Sequence, residues 1–327
     1  MDRREMLLSA GVLLAAATLV RAGAADGRYP DRPIRLIVPR AGTGVVDVIG
    51  REWSENVRTT LGATYIENIG GAGGTIGAMM AARARPDGYT LLLGTTSELV
   101  LSPVLATQTY DPVKDFAPIM MISASTEVIA VHPSIPAHDL KEMVAYGKAN
   151  PGRLNYGSAG VGSVSNMAGE LLKQMAGLPD IVHIPYKGGG PALSDLVSGQ
   201  ITIATPAISK SVIELHGAGR IRILAVTSEQ RLAAAPDLPT GIEQGFPGLV
   251  TQLVIGLFAP AGTPQPILDR IERATREAVQ DKTLQSKLAA AGFETITDST
   301  PPKAAEYLKA EIARWTPVLK AAGMKLD

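Results

Sequence analysis

Short β-branched runs alternate with apolar-periodic stretches along almost the whole chain, and this alternation restricts the fold more than any other feature. Ile34 to Val38 reads as a strand and is followed by glycines and a helical stretch from Val45 to about Val57. Thr64 to Glu67 reads as a strand, Thr75 to Ala84 as a helix and Thr90 to Leu93 as a strand, with Pro86-Asp87-Gly88 supplying the turn between the last two. Asp139 is an N-cap for a helix to about Ala149, which Asn150-Pro151-Gly152 ends. Strands are expected at Leu154 to Gly157, Ile181 to Ile184, Ile201 to Ala204 and Ile223 to Val226. Helices are expected between them at Ser163 to Ala176, Pro191 to Ser198 and Ser209 to His216. After Leu253 to Phe258, a buried strand, come helices at Pro266 to Gln280, Leu284 to Ala290 and Ala304 to Ala322. Repeated βα units predict an α/β chain with mostly parallel sheets flanked by helices.

The first 24 residues are set apart from that pattern. Arg3 and Arg4 precede an unbroken small-apolar run, Met6 to Val20, and Ala22-Gly23-Ala24 offers a cleavage site. This is the layout of a bacterial export signal, cleaved near Ala24, and the paired arginines point to the twin-arginine route. An uncleaved anchor is the alternative, but the run falls short of the ~20 residues needed to span a bilayer. The expected location is the periplasm. Without residues 1–24 the chain carries 28 Lys plus Arg against 29 Asp plus Glu, so it has no electrostatic footprint for nucleic acid. The absence of cysteine excludes thiolate catalysis and disulfides.

The remaining length suits two domains, the second inserted in the first. Residues 25–125 with 256–327 would form one and residues 126–255 the other, with hinge crossings near 125 and 255. Two glycine turns echo each other across this division. Ala41-Gly42-Thr43-Gly44-Val45-Val46 and Ala159-Gly160-Val161-Gly162-Ser163-Val164 share A-G-x-G-x-V, and each follows an expected strand and opens an expected helix. Such a turn exposes main-chain N–H groups at the positive end of a helix dipole and attracts an anion without Lys or Arg. Hydrogen bonds to a charged group contribute about 1.5–3 kcal/mol each. Four from two facing turns would give about 6–12 kcal/mol gross, against about 8 kcal/mol net for micromolar binding. The expected ligand is a small carboxylate.

Other chemistry is poorly represented. Gly42-x-Gly44 lacks the third glycine of a dinucleotide fingerprint, and Gly70 to Gly74 lacks the ending of a phosphate loop. His132, His138, His183 and His216 show no metal-ligand spacing. Gly157-Ser158-Ala159-Gly160 is not a nucleophile elbow. No catalytic residue, metal or cofactor is expected. Trp53, Trp315 and the Met120-Met121 pair read as packing residues, and Lys187 as a surface charge.

Several segments resemble the substrate-binding proteins of tripartite tricarboxylate transporters, the Bug family, over essentially the whole mature chain. They include Tyr29-Pro30-x-x-Pro33-Ile34-Arg35-Leu36-Ile37-Val38-Pro39, Glu67-Asn68, Gly71-Ala72-Gly73-Gly74 and Pro86-Asp87-Gly88-Tyr89-Thr90-Leu91. Asn150-Pro151-Gly152-x-Leu154-x-Tyr156-Gly157-Ser158, Ala168-Gly169-Glu170-Leu171, Pro185-Tyr186-Lys187-Gly188-Gly189, Leu224 to Ser228 and Ala259 to Pro264 extend the match. The resemblance implies a two-domain Venus flytrap that pinches one carboxylate between two βα loops and delivers it to membrane permease subunits. Those loops correspond to Pro39, Arg40, Ala41, Gly42, Thr43, Gly44 and Asp47, and to Ser158, Ala159, Gly160, Gly162, Ser163 and Asn166. Thr95, with Thr96 and Ser97, corresponds to a third contact loop. In three places the chain departs from the family. Arg40 replaces an aromatic and offers a guanidinium to a carboxylate. Asn166 replaces a histidine. Thr205 stands where an acid is often found, which favours a di- or tricarboxylate or an aromatic carboxylate over an amino acid. The alternatives are an extracytoplasmic sensor that presents its closed form to a sensor kinase and, further off, an exported hydrolase.

Overall fold

The computed structural model describes residues 29–321 apart from 41, 43–44, 72–73, 106–109, 187, 233 and 291. The export signal and Lys187 therefore lie outside the described residues, as do Ala41, Thr43 and Gly44. Residues 29–31 end a separate N-terminal unit and contain a cis Tyr29-Pro30 bond; all that follows concerns residues from Arg32 onward.

A first sheet is built from β1 (Ile34–Val38), β2 (Thr64–Asn68), β3 (Thr90–Thr95), β4 (Phe116–Thr126), β10 (Gln252–Pro260) and β11 (Glu294–Thr295), in the order β11-β4-β10-β3-β1-β2. A second holds β5 (Val128–Val131), β6 (Asn155–Ser158), β7 (Val182–Pro185), β8 (Ile203–Ala204) and β9 (Arg222–Val226), in the order β7-β6-β8-β5-β9. Among the first sheet's helices are α1 (Val45–Asn56), α2 (Thr75–Ala82) and, at the end of the chain, α7 (Gln265–Gln280), α8 (Lys282–Ala290) and α9 (Pro301–Ala321). The second sheet's are α3 (Leu140–Ala149), α4 (Val164–Ala176), α5 (Gly189–Ser198) and α6 (Lys210–Gly217). Asp139 caps α3 as its sequence requires, accepting the Glu142 N–H at 2.7 Å.

Both sheets are mixed, which corrects the expectation of mostly parallel ones. β1 pairs in parallel with β2 and β3, and β6 with β7 and β8, whereas the five remaining pairings are antiparallel. The chain leaves the first sheet through β4, enters the second through β5 and returns from β9 to β10. An outgoing and a returning strand side by side must run in opposite directions, and β4 and β10 pair along Gln252↔Thr126 to Pro260↔Phe116. β4 and β5 escaped the sequence reading because β4 mixes small polar residues with apolar ones and is covered on both faces, so neither period shows.

The registers fix where the loops lie. Thr95 at the end of β3 pairs with Ile255, near the start of β10, and so faces the crossing at Thr126 to Val128. β5 begins at that crossing and pairs antiparallel with β8, which puts the carboxyl ends of β8 and of its parallel neighbour β6 there too. The turn after β1 and the turn after β6 thus both sit at the edge of their sheet nearest the crossing.

Packing behind the turns is apolar and tight. On β5, Val128 and Ala130 pack with Leu196, Ile201 and Ala204, while Ile129 and Val131 share the opposite cluster with Val164, Met167 and Ala168. In the first sheet's layer, the fully buried Trp53 of α1 donates its indole N–H to Thr275 Oγ1 of α7 at 3.1 Å. Trp315, Met120 and Met121 are also buried, as packing residues. Replacing Trp53 with Ala should cost about 3–5 kcal/mol, through lost burial and the orphaned Thr275 hydroxyl. Denaturant unfolding of the two proteins measures it.

Candidate functional site

The second turn is folded by its own side chains. Ser163 caps α4, accepting the Asn166 N–H at 3.1 Å, and its hydroxyl donates to the Gly160 carbonyl at 2.6 Å. Ser165 Oγ accepts the Ala159 N–H at 2.8 Å, Ser158 Oγ accepts that of Gly160 at 3.1 Å, and Asn166 Oδ1 accepts that of Gly162 at 3.1 Å. Gly162 holds φ +75°, a left-handed conformation that a β-carbon disfavours. Three amides that a bare backbone cradle would offer are therefore already engaged. The amides of Val161, Val164 and Ser165, at the exposed tip and in the first turn of α4, carry no hydrogen bond in the structure and remain as donors.

A buried relay stands behind this turn. Asn166 Nδ2 donates to the Tyr156 hydroxyl at 2.7 Å, which donates to Glu170 Oε1 at 2.6 Å. The Tyr156 ring stacks on His183 at 4.6 Å, and a β-carbon at Gly169 would lie 2.1 Å from it, so α4 can cross this ring only at glycine. Ser158 Oγ lies 2.7 Å from His183 Nε2. Such a distance suits a nucleophile and its base, but Ser158 is 1% exposed and its oxygen is tied to Gly160. Burial lowers the His183 pKa, outweighing Glu170, which raises it. Burial thus favours a neutral imidazole, whose hydrogen bond with the Ser158 hydroxyl braces the turn. Thr205 Oγ1 donates to the Ser165 carbonyl at 2.6 Å, joining β8 to the start of α4.

At the first turn the structure brings together residues that the sequence reading kept apart. Arg40 extends to Glu98 at 2.9 Å and to Thr95 Oγ1 at 3.3 Å, and also donates to the Pro39 carbonyl at 3.3 Å. Glu98 lies on a π-helical turn, Ser97–Leu101, and is fully buried; it accepts the Thr95 N–H and, at 2.8 Å, the Thr95 hydroxyl. Burial raises the Glu98 pKa and the Arg40 guanidinium opposes it. The Arg40 charge, expected to await a ligand, is thus already balanced by an internal carboxylate. Asp47, in the first turn of α1, accepts Arg51 Nε at 2.9 Å and Asn68 Nδ2 at 2.9 Å, which ties α1 to the end of β2. Gly42 is exposed beside Asn68. Thr95, Thr96 and Ser97 are buried, and Thr96 Oγ1 accepts the Val254 N–H at 3.0 Å.

Glu98, Tyr156, Ser165 and His183 were not singled out from sequence. Glu98 had left a signal, a lone charge inside the apolar run from Leu91 to Leu101. Tyr156 lay in a matched segment with no chemistry attached to it.

Comparison with known proteins places these features in a wider set. The sequence pattern described as "Tripartite tricarboxylate transporter family receptor" matches residues 49–324. Protein BugT of Bordetella pertussis is 32% identical over 332 residues, covering 100% of both chains. The solved structure of MatC from Rhodopseudomonas palustris with bound malate is 32% identical, with a TM-score of 0.79 over 89% of this chain and all of that one. That of R. palustris Rpa4515 with adipate is 32% identical, with a TM-score of 0.81 over 91% of this chain and 99% of that one.

The Arg40–Glu98 pair gives a direct test of the first turn. Arg40→Met strands a buried carboxylate and should cost about 3–5 kcal/mol at pH 7–8. Adding Glu98→Gln should recover most of that loss, and denaturant unfolding of the two single variants and the double variant measures the coupling.

Proposed function

The chain belongs to the tripartite tricarboxylate transporter receptor family, with the two-domain α/β fold of periplasmic binding proteins, and on that premise we propose that it captures a small carboxylate between its two βα turns. Receptors of this family are periplasmic solute-binding proteins rather than enzymes. The observation that carries the reading is the start of α4. A pre-folded turn leaves the Val164 and Ser165 amides at the positive end of a 13-residue helix, at the sheet edge beside the crossing. The malate and adipate bound by the similar R. palustris proteins support an organic acid.

Arg40 and Glu98 form a pair of no net charge, as do Arg51 and Asp47. The affinity then rests on main-chain and hydroxyl donors rather than on a surplus cation. Pro39 to Asp47 supplies one wall and Ser158 to Asn166 the other, with Thr205 holding the second in place. A di- or tricarboxylate or an aromatic carboxylate suits such walls better than an amino acid. Residues 25–125 with 256–327 act as one lobe and residues 126–255 as the other, closing about the crossings. After removal of residues 1–24 the protein works in the periplasm and hands its ligand to membrane-embedded transporter subunits.

A thermal-shift screen of malate, adipate and aromatic acids tests this. A ligand at 100 times its Kd adds about 2.7 kcal/mol to stability and raises Tm. Gly162→Val, which strains the second turn and crowds its approach, should abolish the shift while the circular-dichroism spectrum stays that of the parent. An unaltered shift in the variant contradicts the assignment.

A further inference from the structure

Glu127 stands at the crossing between β4 and β5 and is 4% exposed. Its Oε2 is buried and has no hydrogen-bond partner, one of three such side-chain atoms among the described residues. An orphaned carboxyl oxygen is costly, and a fold keeps one where something else completes it. The Glu127 carbonyl accepts the Thr227 N–H at 2.9 Å, and the residue sits opposite Ala207 in an isolated antiparallel bridge. The side chain is free for another purpose.

Its place follows from strand alternation. Ile129 and Val131 lie on the sheet face that packs against Val164 and Met167 of α4, and Glu127 falls on the same face two residues earlier. On that face, in the register of β8, Ala207 is opposite Glu127 and Thr205 opposite Ile129; Thr205 bonds the Ser165 carbonyl in the first turn of α4. Glu127 therefore lies beside the crossing, on the sheet face that carries α4.

We propose that Glu127 is a specificity-determining ligand contact, whose carboxyl group hydrogen-bonds a second acceptor group on the carboxylate held at the two turns. This assignment rests on the carboxylate-binding reading above. The neighbouring segments, Thr205 to Ala207, Val226 to Ser228, Thr251 and Ser163 to Asn166, bring hydroxyls and amides but no charged side chain. Beyond them on the same elements come Lys210, Glu229, Glu170 and Lys173, with His183 behind Tyr156. None of these moves the Glu127 pKa: burial alone pushes it up to about 8. At neutral pH the group is an acid and a donor, so it suits a second carboxylate and gives no counter-charge to an ammonium. Stability from this raised group is fully present in acid and is lost as pH rises through about 8.

The test is calorimetric titration with adipate and hexanoate, acids of one chain length with two carboxylates and one. Wild type, Glu127→Gln and Glu127→Leu are compared at pH 7 and 9.5, with melting curves to confirm folding. Wild type should prefer adipate and lose about 30-fold in adipate affinity between the two pH values as Glu127 ionises. The Gln variant keeps a donor and should hold adipate equally at both. The Leu variant should bind adipate about tenfold more weakly at pH 7, the loss of one good hydrogen bond, with hexanoate unaffected. If the Leu variant discriminates as wild type does, or wild-type adipate affinity ignores pH, the Glu127 assignment falls while carboxylate binding stands. Aspartate binding that tightens with pH would overturn it by showing an ionised Glu127 facing an ammonium. If neither acid binds wild type while malate or an aromatic acid does, the Glu127 assignment falls and the carboxylate reading stands; if none of them binds, both fail.

Discussion

The structure depends on the way the chain passes between its two sheets. β4 goes out and β10 comes back as antiparallel neighbours, and β5 takes up the second sheet one residue after β4 ends. Because β3 is antiparallel to the returning β10 and β8 to the outgoing β5, the carboxyl ends of the parallel strands in each sheet are turned to the same place. Helix N-termini follow those ends. One topological constraint therefore brings the ends of β1 and β3 in one sheet, and of β6 and β8 in the other, to the crossing between the sheets. Thr227 adds rigidity there, bonding the Glu127 carbonyl and Thr251 across the two crossings.

The two turns reach readiness by different means. The second spends its own serines and Asn166 on holding its shape, backed by Tyr156, Glu170 and His183. Its remaining amides are held in place by these bonds, which would reduce the ordering cost of binding at the proposed site. The first is braced by charge, Arg40 against Glu98 and Arg51 against Asp47. A buried pair such as Arg40–Glu98 is poor evidence of stability, because desolvation offsets much of its attraction. In the proposed site, discrimination would then rest on the position of donors rather than on net charge.

Much of this was legible in the sequence, for definite reasons. The period of the apolar residues located α1, α3, α4 and α7 within a few residues, and Asp139 announced α3 as its cap, whereas the Ser163 cap of α4 went unread. Of the A-G-x-G-x-V echo, the second copy is seen as a turn with Gly160 and Gly162 at positive φ before α4, while most of the first lies outside the described residues. What the sequence hid was pairing over long separations. β4 and β5 carried no periodicity because both faces are covered. Arg40 gave no sign of its partner, which lies 58 residues on. The Thr205 hydroxyl reaches the Ser165 carbonyl, a contact that depends on β6 and β8 being neighbours in the sheet.

Apolar packing surrounds the proposed site, which would draw its chemistry from neutral donors at two βα turns. The most direct measurement of that account is a structure determined with adipate bound. One carboxylate should lie within hydrogen-bonding distance of main-chain N–H groups in the first turn of α4 and, on its other side, of the segment from Pro39 to Asp47. An adipate that touches a single lobe, or that leaves the start of α4 empty, would contradict it.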